Sequence, residues 1–359
     1  MRILFRVDSS ALIGLGHLMR CLTLAEALRD SGYLCHFICR PHAGHSAELV
    51  QQRGFELTLL PSLPPYTDHA AESTEHQHWL GCTEQQDATD CQTQLSNASE
   101  KFDLLVVDHY ALAAEFCSSL RPFCRHILMI DDLANRAHDC DWLLDQNLLP
   151  DQQNRYQQLV PAQCSLLLGP QFALLRHEFY QVHPVTRQAG RLLVFFGGND
   201  PFHLTIKSAI AIAQLTELIP HADIVISAQH PDRSALEALC QTQATMQLHI
   251  QSNDMASLMH QAQLMLGAGG TTHWERCICA LPALVVTVAN NQLATTRYLH
   301  ELGACSWLGD GDTITQSQLE QSICDWLGKP EQLRLMGEQA KKIMASNQGA
   351  RTILQHLKV

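Results

Sequence analysis

The chain opens with a regular alternation of apolar runs and amphipathic stretches. Apolar runs at 3–7, 34–38 and 55–60 predict strands, and the stretches at 16–30 and 44–53 predict helices, the first ending at Gly32. After a polar segment from Pro61 to Lys101, strands are predicted at 103–107, 126–130, 142–144 and 164–168. Because strands that alternate with helices form parallel sheets, the first half predicts one complete parallel sheet.

The alternation begins again after residue 190. The pattern predicts strands at 191–196, 222–227, 245–250, 264–266 and 283–288, and helices at 203–215, 233–243, 254–262, 272–280, 291–301, 315–327 and 331–345. Since 359 residues exceed the usual limit of a single core, about 250–300 residues, we predict two domains. A linker at 183–190 separates a domain over 1–185 from one over 191–359. The predicted fold class is α/β, with two doubly wound Rossmann-like domains and a central interdomain cleft.

Composition excludes several classes of protein. The 46% apolar and 17% charged residues are typical of a soluble globular chain, and the longest apolar runs, such as 281–288, are too short to cross a bilayer. The net charge of −12 argues against a general nucleic-acid surface. Met1 leads directly into a strand pattern without a secretory signal, so we expect a cytoplasmic protein with no membrane partner.

Neither the cysteines nor the histidines indicate a metal site. The 14 cysteines are scattered without the repeated spacing of a zinc site, and we expect most of them to be buried. The 20 histidines include no H-E-x-x-H cluster. Asp131 and Asp132 follow a predicted strand, but neighbours on an extended chain point to opposite sides. We predict no metal and no cofactor.

One glycine-rich loop carries a basic side chain. Gly14, Gly16 and His17 lie just after the first predicted strand, at the start of the first predicted helix. A helix N-terminus presents free N–H groups and a partial positive charge, which favour an anionic ligand and a neutral imidazole. We therefore predict that His17 is a catalytic base that takes a proton from water. A nicotinamide cofactor is not expected, because Met19 stands where a dinucleotide motif has its third glycine.

Two more glycine-rich loops follow predicted strands in the second half. Gly197-Gly198-Asn199-Asp200 follows the first strand there, and Gly267-Ala268-Gly269-Gly270-Thr271-Thr272 follows a later one. Glycines let backbone N–H groups approach a phosphate closely, so two such loops in one domain predict a diphosphate site. The alternative is a pair of tight turns without a ligand.

Three other segments allow either a structural or a binding role. Glu275 stands three residues after Thr272, a spacing that favours a capping box at the start of a helix. Asp108-His109-Tyr110 ends a predicted strand, and Asn290-Asn291-Gln292 begins a predicted helix in which Asn291 is an alternative N-cap. The last two segments are predicted at the ligand-binding edges of their sheets.

Several segments together resemble a known enzyme family. They are Arg6-Val7-Asp8-Ser9-Ser10, Ile13-Gly14-Leu15-Gly16-His17-Leu18-Met19-Arg20-Cys21, Val107-Asp108-His109-Tyr110, Ile130-Asp131-Asp132-Leu133, Leu143-Leu144-Asp145-Gln146-Asn147, Phe196-Gly197-Gly198-Asn199-Asp200 and Asn291-Gln292. Their order and spacing cover most of the chain and resemble the UDP-sugar hydrolases of the pseudaminic acid pathway, which act on UDP-2,4-diacetamido-2,4,6-trideoxy-β-L-altropyranose. The resemblance implies a fold related to two-domain B-type glycosyltransferases.

The resemblance also implies roles for single residues. His17 would be the general base. The second domain would hold UDP through Gly197, Gly198, Gly269, Gly270, Thr271 and Glu275, the last of these at the ribose. Substrate contacts are implied for Asp8, Gly14, Gly16, Tyr110, Asn291 and Gln292, with orientation of the His17 ring as the alternative role of Asp8.

The implied reaction is glycosyl transfer with water as the acceptor. His17 would deprotonate water, which would attack the anomeric carbon opposite UDP and invert its configuration, with no metal or redox cofactor. Two alternatives stay open. One is a glycosyltransferase with a UDP-amino-sugar donor, for which the segment 61–101 would form an acceptor platform, and the other is a non-catalytic nucleotide-sugar binding protein. Each predicts a small-molecule UDP-sugar as the partner.

Overall fold

The computed structural model describes residues 1–63, 76–96, 100–181 and 186–357. Pro64 and Pro65 of the polar segment and the first three residues of the predicted linker, 183–185, lie outside the described residues. The chain forms two compact units. The first contains residues 1–147, 151–174 and the C-terminal segment from Gln348, and the second contains residues 148–150 and 175–347.

The first unit is built on a seven-stranded sheet in which all strands are parallel. The strands are β1 (Arg2–Val7), β2 (Leu34–Cys39), β3 (Glu56–Leu59), β4 (Phe102–Asp108), β5 (Cys124–Ile130), β6 (Trp142–Asp145) and β7 (Ser165–Leu168), in the order β3-β2-β1-β4-β5-β6-β7. The helices are α1 (Gly16–Asp30), α2 (Glu48–Gln52), α3 (Glu84–Leu95) and α4 (Ala114–Leu120). A short 3-10 helix, Gln77–Trp79, precedes α3.

Both faces of this sheet are covered, which explains its continuous apolar runs. One face packs against α1, with Leu18 in the same buried cluster as Phe5 and Phe37, whose rings stack with centroids 4.5 Å apart. The other face packs against α3 and α4 through Ala88 and Phe116. Strands buried on two sides lose their polar alternation, so an apolar run of five or six residues is their sequence signature.

The second unit contains a six-stranded parallel sheet. The strands are β8 (Arg191–Phe195), β9 (His221–Ile226), β10 (Met246–Ile250), β11 (Leu264–Ala268), β12 (Ala283–Thr287) and β13 (Ser306–Asp310), in the order β10-β9-β8-β11-β12-β13. The helices are α5 (Leu204–Ala213), α6 (Arg233–Thr242), α7 (Met255–Gln261), α8 (Thr272–Ile278), α9 (Asn290–Glu301), α10 (Gln316–Leu327) and α11 (Pro330–Ile343). The prediction of two doubly wound α/β sheets is confirmed.

The structure differs from the predicted elements at three places. The strand β13 is not predicted, and α2 is shorter than the predicted helix over 44–53. A last helix, α12 (Ala350–Leu357), is also not predicted, and its Ile353 and Leu357 join the apolar cluster that contains Leu18. Because this helix buries its apolar side in the first unit, the C-terminal segment from Gln348 belongs there rather than to the predicted domain over 191–359.

Each sheet has a point at which the strand order reverses. In the first unit this point lies between β1 and β4, and in the second it lies between β8 and β11. The connections that follow two such neighbouring strands run to opposite faces of the sheet. A crevice therefore forms at the carboxyl ends of these strands, and ligands of such folds bind there. The loop with Gly14 and Gly16 follows β1, and the loop with Gly197 and Gly198 follows β8.

Gly267 allows β8 and β11 to lie side by side. A Cβ at this position would stand 2.3 Å from the carbonyl oxygen of Phe195. We expect Gly267→Ala to lower the free energy of unfolding by about 1–3 kcal/mol because the backbone must move. Urea denaturation tests this, with Gly198→Ala as the control, since a Cβ there meets nothing within 4 Å. Equal urea midpoints for the two variants would contradict the prediction.

The 14 cysteines all lie within the described residues and are free thiols, most of them buried as expected. Among the described helices, none combines the length and the apolar composition needed to cross a membrane.

Candidate active site

The predicted base lies at the reversal point of the first sheet. His17 is the second residue of α1, and Asp108 is the last residue of β4, opposite Val7 at the end of β1. The His17 Nδ1 atom lies 2.6 Å from Asp108 Oδ1. His17 is 8% exposed and therefore buried. Because its ring contacts the Asp108 carboxylate, it does not lie in an apolar interior.

Arg20 fixes the charge of Asp108. Its Nε and one terminal nitrogen donate to Asp108 Oδ2 and Oδ1 at 2.5 and 2.6 Å. Burial by itself would raise the pKa of Asp108, but the charges of Arg20 and His17 outweigh burial and lower that pKa well below its usual range. Asp108 is therefore an anion at neutral pH.

The Asp108 anion determines which nitrogen of His17 carries the proton. An ionised carboxylate only accepts hydrogen bonds, so Nδ1 donates to Asp108. Arg20 also approaches Nδ1 at 3.2 Å, but the shorter contact with Asp108 decides the tautomer. Nε2 is then the nitrogen with the free lone pair, which is the arrangement that a general base requires.

Aromatic rings surround the imidazole. The ring of Tyr110 meets that of His17 edge-on, with centroids 4.5 Å apart, and stacks at 5.5 Å on Trp79. Trp79 lies 6.3 Å from His17, and His76 contacts both Trp79 and Tyr110 edge-on. The side chain of Tyr110 is only 6% exposed. The predicted substrate residue Tyr110 therefore lies beside the predicted base.

Asp132 extends the same group of side chains. It hydrogen-bonds the side chain of Tyr110, and its Oδ2 lies 3.5 Å from Arg20. Burial first, and then the charge of Asp132, raise the pKa of Tyr110 well above its usual range, so its hydroxyl stays protonated. The segments that contain His17, Asp108 and Asp132 thus form one connected network at the carboxyl ends of β1, β4 and β5.

Asp8 lies in a buried ion pair with Arg6. It is 0% exposed, and Arg6 donates to both of its oxygens at 2.5 and 2.9 Å. The backbone N–H of Arg40 and the ring of His42 contact the same carboxylate. The carboxylate that contacts the His17 ring is therefore that of Asp108, whereas Asp8 pairs with Arg6. A substrate contact of Asp8 stays a prediction.

The two predicted glycines before His17 differ in backbone conformation. Gly14 has a φ of +77° and donates its N–H to Ser10 at 2.9 Å, which closes a tight turn that favours glycine. Gly16 lies at the start of α1 in open space, where a Cβ would meet nothing within 4 Å. The turn explains the first glycine, and both positions leave room for close approach of a ligand, since a Cβ at Gly14 would also meet nothing within 4 Å.

The second unit places its two glycine-rich loops at neighbouring strand ends. Gly197 has a φ of +93°, while a Cβ at Gly198 would meet nothing within 4 Å. In the loop after β11, a Cβ at Gly269 would lie 3.0 Å from Thr296 Oγ1, so glycine is needed for packing against α9. Gly270 has a φ of +78°. Packing explains Gly269 and turn geometry explains Gly197 and Gly270, whereas Gly198 has neither a positive φ nor a close neighbour.

Side chains already occupy some of the helix starts near these loops. Asp200 is fully buried and accepts from the backbone N–H groups of Leu204 and Thr205 at 2.9 and 2.6 Å, which caps α5. Gln292 Oε1 accepts from the N–H of Val288 just before α9. Thr271 is the N-cap of α8 and makes no side-chain capping bond in the described structure. In the first turn of α8, the N–H groups of His273 and Trp274 donate to the carbonyl groups of Gly270 and Thr271.

The structure corrects two predicted capping roles. Glu275 does not complete a capping box with Thr272. It is the fourth residue of α8, and its Oε1 accepts from Arg176 at 3.3 Å. Burial, opposed by the charge of Arg176, raises its pKa. Asn291 is not an N-cap, because α9 begins at Asn290 with Ala289 as its N-cap. Binding roles for Glu275, Asn291 and Gln292 stay predictions.

The acidic pair after β5 is engaged by protein groups. Asp131 is fully buried, and it contacts Arg136 at 2.8 Å and accepts from the N–H of Ala134. Within the described ranges, no group of three or more His, Cys, Asp or Glu side chains has an arrangement that could hold a metal ion.

Two sheets of this kind in one chain define the class of fold, which is the GT-B fold of two-domain glycosyltransferases. The chain matches Acinetobacter baumannii MurG with a TM-score of 0.64 at 15% identity, over 99% of this chain and 98% of that one. It matches the spinosyn rhamnosyltransferase SpnG, solved with thymidine diphosphate, with a TM-score of 0.67 at 18% identity over the full length of both. At these identities the likeness concerns the fold alone.

Sequence comparison adds more specific relatives. The chain is 25% identical over 307 residues to the UDP-2,4-diacetamido-2,4,6-trideoxy-β-L-altropyranose hydrolase of Campylobacter jejuni. The match covers 84% of this chain and 97% of that protein. It is 24% identical over 226 residues to the spore coat polysaccharide biosynthesis protein SpsG of Bacillus subtilis, covering 62% of this chain and 66% of that protein. No protein-family model matches the chain.

For three residues of the site, the sequence predicted no catalytic role. Asp108 ends an apolar strand, but its pairing with His17 depends on β4 lying beside β1. Arg20 stands three residues after His17 on α1 and therefore on the same helix face, which is a signal that the sequence did contain. Trp79 lies in the polar segment, where no periodicity indicates a site.

Proposed function

We propose that this protein is a UDP-sugar hydrolase that releases UDP and a free 2,4-diacetamido-2,4,6-trideoxy sugar by cleaving the anomeric C–O bond with inversion. The observation that carries the proposal is the His17–Asp108 contact of 2.6 Å at the reversal point of the first sheet. The similarity to the Campylobacter jejuni hydrolase over 84% of the chain supports the choice of substrate. The role in pseudaminic acid synthesis rests on the same similarity.

The first unit supplies the base. Asp108 keeps the proton on Nδ1, and Nε2 removes a proton from water as that water attacks the anomeric carbon. Asp108 then stabilises the imidazolium that forms, in the way that a carboxylate supports the histidine of other hydrolytic sites. Arg20 holds Asp108 in place and in its charged form.

The second unit holds UDP. Backbone N–H groups of the loops with Gly197–Gly198 and Gly269–Thr271 bind the diphosphate, Glu275 binds the ribose, and Asn291 and Gln292 contact the substrate. Charge grows on the leaving β-phosphate as the C–O bond breaks, and each well-placed donor lowers that barrier by about 3–4 kcal/mol. The residues themselves supply the base and the donors, so the proposal includes no metal or redox cofactor.

Product analysis tests the proposal. The protein is incubated with UDP-2,4-diacetamido-2,4,6-trideoxy-β-L-altropyranose in ¹⁸O-labelled water and followed by NMR and mass spectrometry. We expect release of UDP without label, with the α-anomer of the sugar formed first. Label in UDP would show attack on phosphorus. Release of UDP only when a sugar acceptor is added would instead support a glycosyltransferase, and UDP binding without turnover would support a binding protein.

A substitution at Gly198 tests the proposed diphosphate site. The space around it is open, so Gly198→Ala is expected to leave the urea midpoint unchanged while weakening UDP binding about tenfold, because the methyl group occupies the approach to the backbone. Calorimetric titration with UDP measures this. Gly328→Ala, at the end of α10 in the same unit, is the control, because Gly328 has a φ of −71° and a Cβ there meets no atom closer than 3.5 Å. Unchanged UDP affinity in Gly198→Ala would remove this loop from the proposed site.

A further inference from the structure

The aromatic side chain of Trp79 lies next to the proposed base without being part of any motif. Its ring stacks at 25° on Tyr110 with centroids 5.5 Å apart, and it stands nearly perpendicular to the His17 ring at 6.3 Å. Trp79 is partly exposed, although its neighbours Leu80 and Tyr110 are buried. Part of the indole is thus accessible near the His17 ring.

The residues that follow Trp79 hold it in a defined position. Leu80 is 1% exposed and belongs to the apolar cluster between the sheet and α3. Thr83 then caps α3 by accepting from the N–H of Gln86. Below the indole, Tyr110 is fixed by its hydrogen bond to Asp132. Because its support is rigid, the indole loses little conformational freedom when a ligand packs on it.

The proposed reaction places the sugar and the Trp79 ring at similar distances from His17. A water bound to Nε2 lies about 3 Å from that nitrogen. The attacked carbon lies about 3–3.5 Å beyond the water. The sugar ring attached to that carbon is therefore about as far from His17 as the Trp79 ring, whose centroid is 6.3 Å from that of the imidazole.

We propose that Trp79 is a specificity-determining residue that packs against the apolar side of the substrate sugar and selects N-acylated, deoxygenated hexoses over fully hydroxylated ones. This inference rests on the proposed function. An acetamido methyl and a 6-deoxy carbon offer apolar surface to an indole, whereas a hydroxyl group in the same place would lose hydration without gaining a partner. Discrimination of about 10- to 200-fold is what an apolar contact of one or two carbons provides.

The kinetic test compares two substrates in three proteins. For wild type, Trp79→Phe and Trp79→Ala, kcat/KM is measured with the UDP-diacetamido-trideoxy sugar and with UDP-N-acetylglucosamine, which keeps its hydroxyl at C6. We expect Trp79→Ala to lower the ratio of the two kcat/KM values at least tenfold, mainly through KM of the deoxygenated substrate, and Trp79→Phe to retain most of it. A ratio that is the same in all three proteins overturns the proposal.

A binding measurement separates this inference from the proposed function. The free diacetamido sugar is titrated into the protein with tryptophan fluorescence as the readout, which needs neither turnover nor UDP. We expect a change in wild type and in the control Trp326→Phe, which lies on α10 of the second unit, and none in Trp79→Phe. An equal signal in Trp79→Phe contradicts the inference. If the wild type gives the Trp79-dependent signal but shows no turnover, the hydrolase proposal is refuted and the inference about Trp79 is not.

Discussion

The His17→Ala variant is expected to hydrolyse the UDP-sugar about 10²- to 10⁴-fold more slowly than wild type. The methyl group cannot accept the proton of the attacking water, so the loss falls on kcat. UDP binding is assigned to the second unit and should keep its affinity. Release of UDP measures the rate, and calorimetry measures the affinity. Wild-type turnover in this variant, with substrate still bound, would eliminate His17 as the base.

Asp108→Asn is the matched variant that keeps the imidazole. Arg20 only donates, so the amide oxygen of Asn turns toward Arg20 and its NH₂ group toward Nδ1 of His17. Nδ1 must then accept, which moves the ring proton to Nε2 and removes the basic lone pair. We expect a loss in kcat of the same order, about 10²- to 10⁴-fold. A fully active Asp108→Asn enzyme would mean that the tautomer is set in another way.

The Arg6→Met variant is expected to lose about 3–5 kcal/mol of unfolding free energy. Arg6 is 1% exposed and bonds to two carboxylates that are both 0% exposed, Asp8 at 2.5 and 2.9 Å and Asp87 at 2.8 and 2.9 Å. Arg40 still contacts Asp87 in the variant, but Asp8 keeps only weaker partners. A buried anion without its cation is costly, and the shift of the urea midpoint measures that cost.

The control for this prediction is the same substitution on the surface. Arg334 on α11 pairs with Glu331 and Glu338, and all three side chains are exposed. Exposed ion pairs are screened by water and contribute little. We therefore expect Arg334→Met to leave the urea midpoint unchanged. If Arg6→Met behaves like Arg334→Met, the buried network does not stabilise the first unit.

The sequence by itself determined most of the regular elements and their order, although it did not predict β13 and α12. Helix α1 was predicted over the residues that the structure shows, because apolar spacing and the terminating Gly32, with a φ of +86°, are local signals. Local signals also identified His17 and the glycine-rich loops. Sequence spacing did not show that Asp108 contacts His17 while Asp8 pairs with Arg6, because a buried residue at a strand end can face either an ion pair or the site.

Only the tertiary structure decided which side chains meet. Asp108 lies 91 residues from His17 along the chain, and Trp79 lies in a segment without periodicity. Their contacts depend on β4 inserting beside β1 and on the segment before α3 folding over the end of β4. Helix α12 likewise packs on the first unit because that unit has an apolar surface to cover. Such pairings are set by burial and charge between distant parts of the chain, and local spacing contains no record of them.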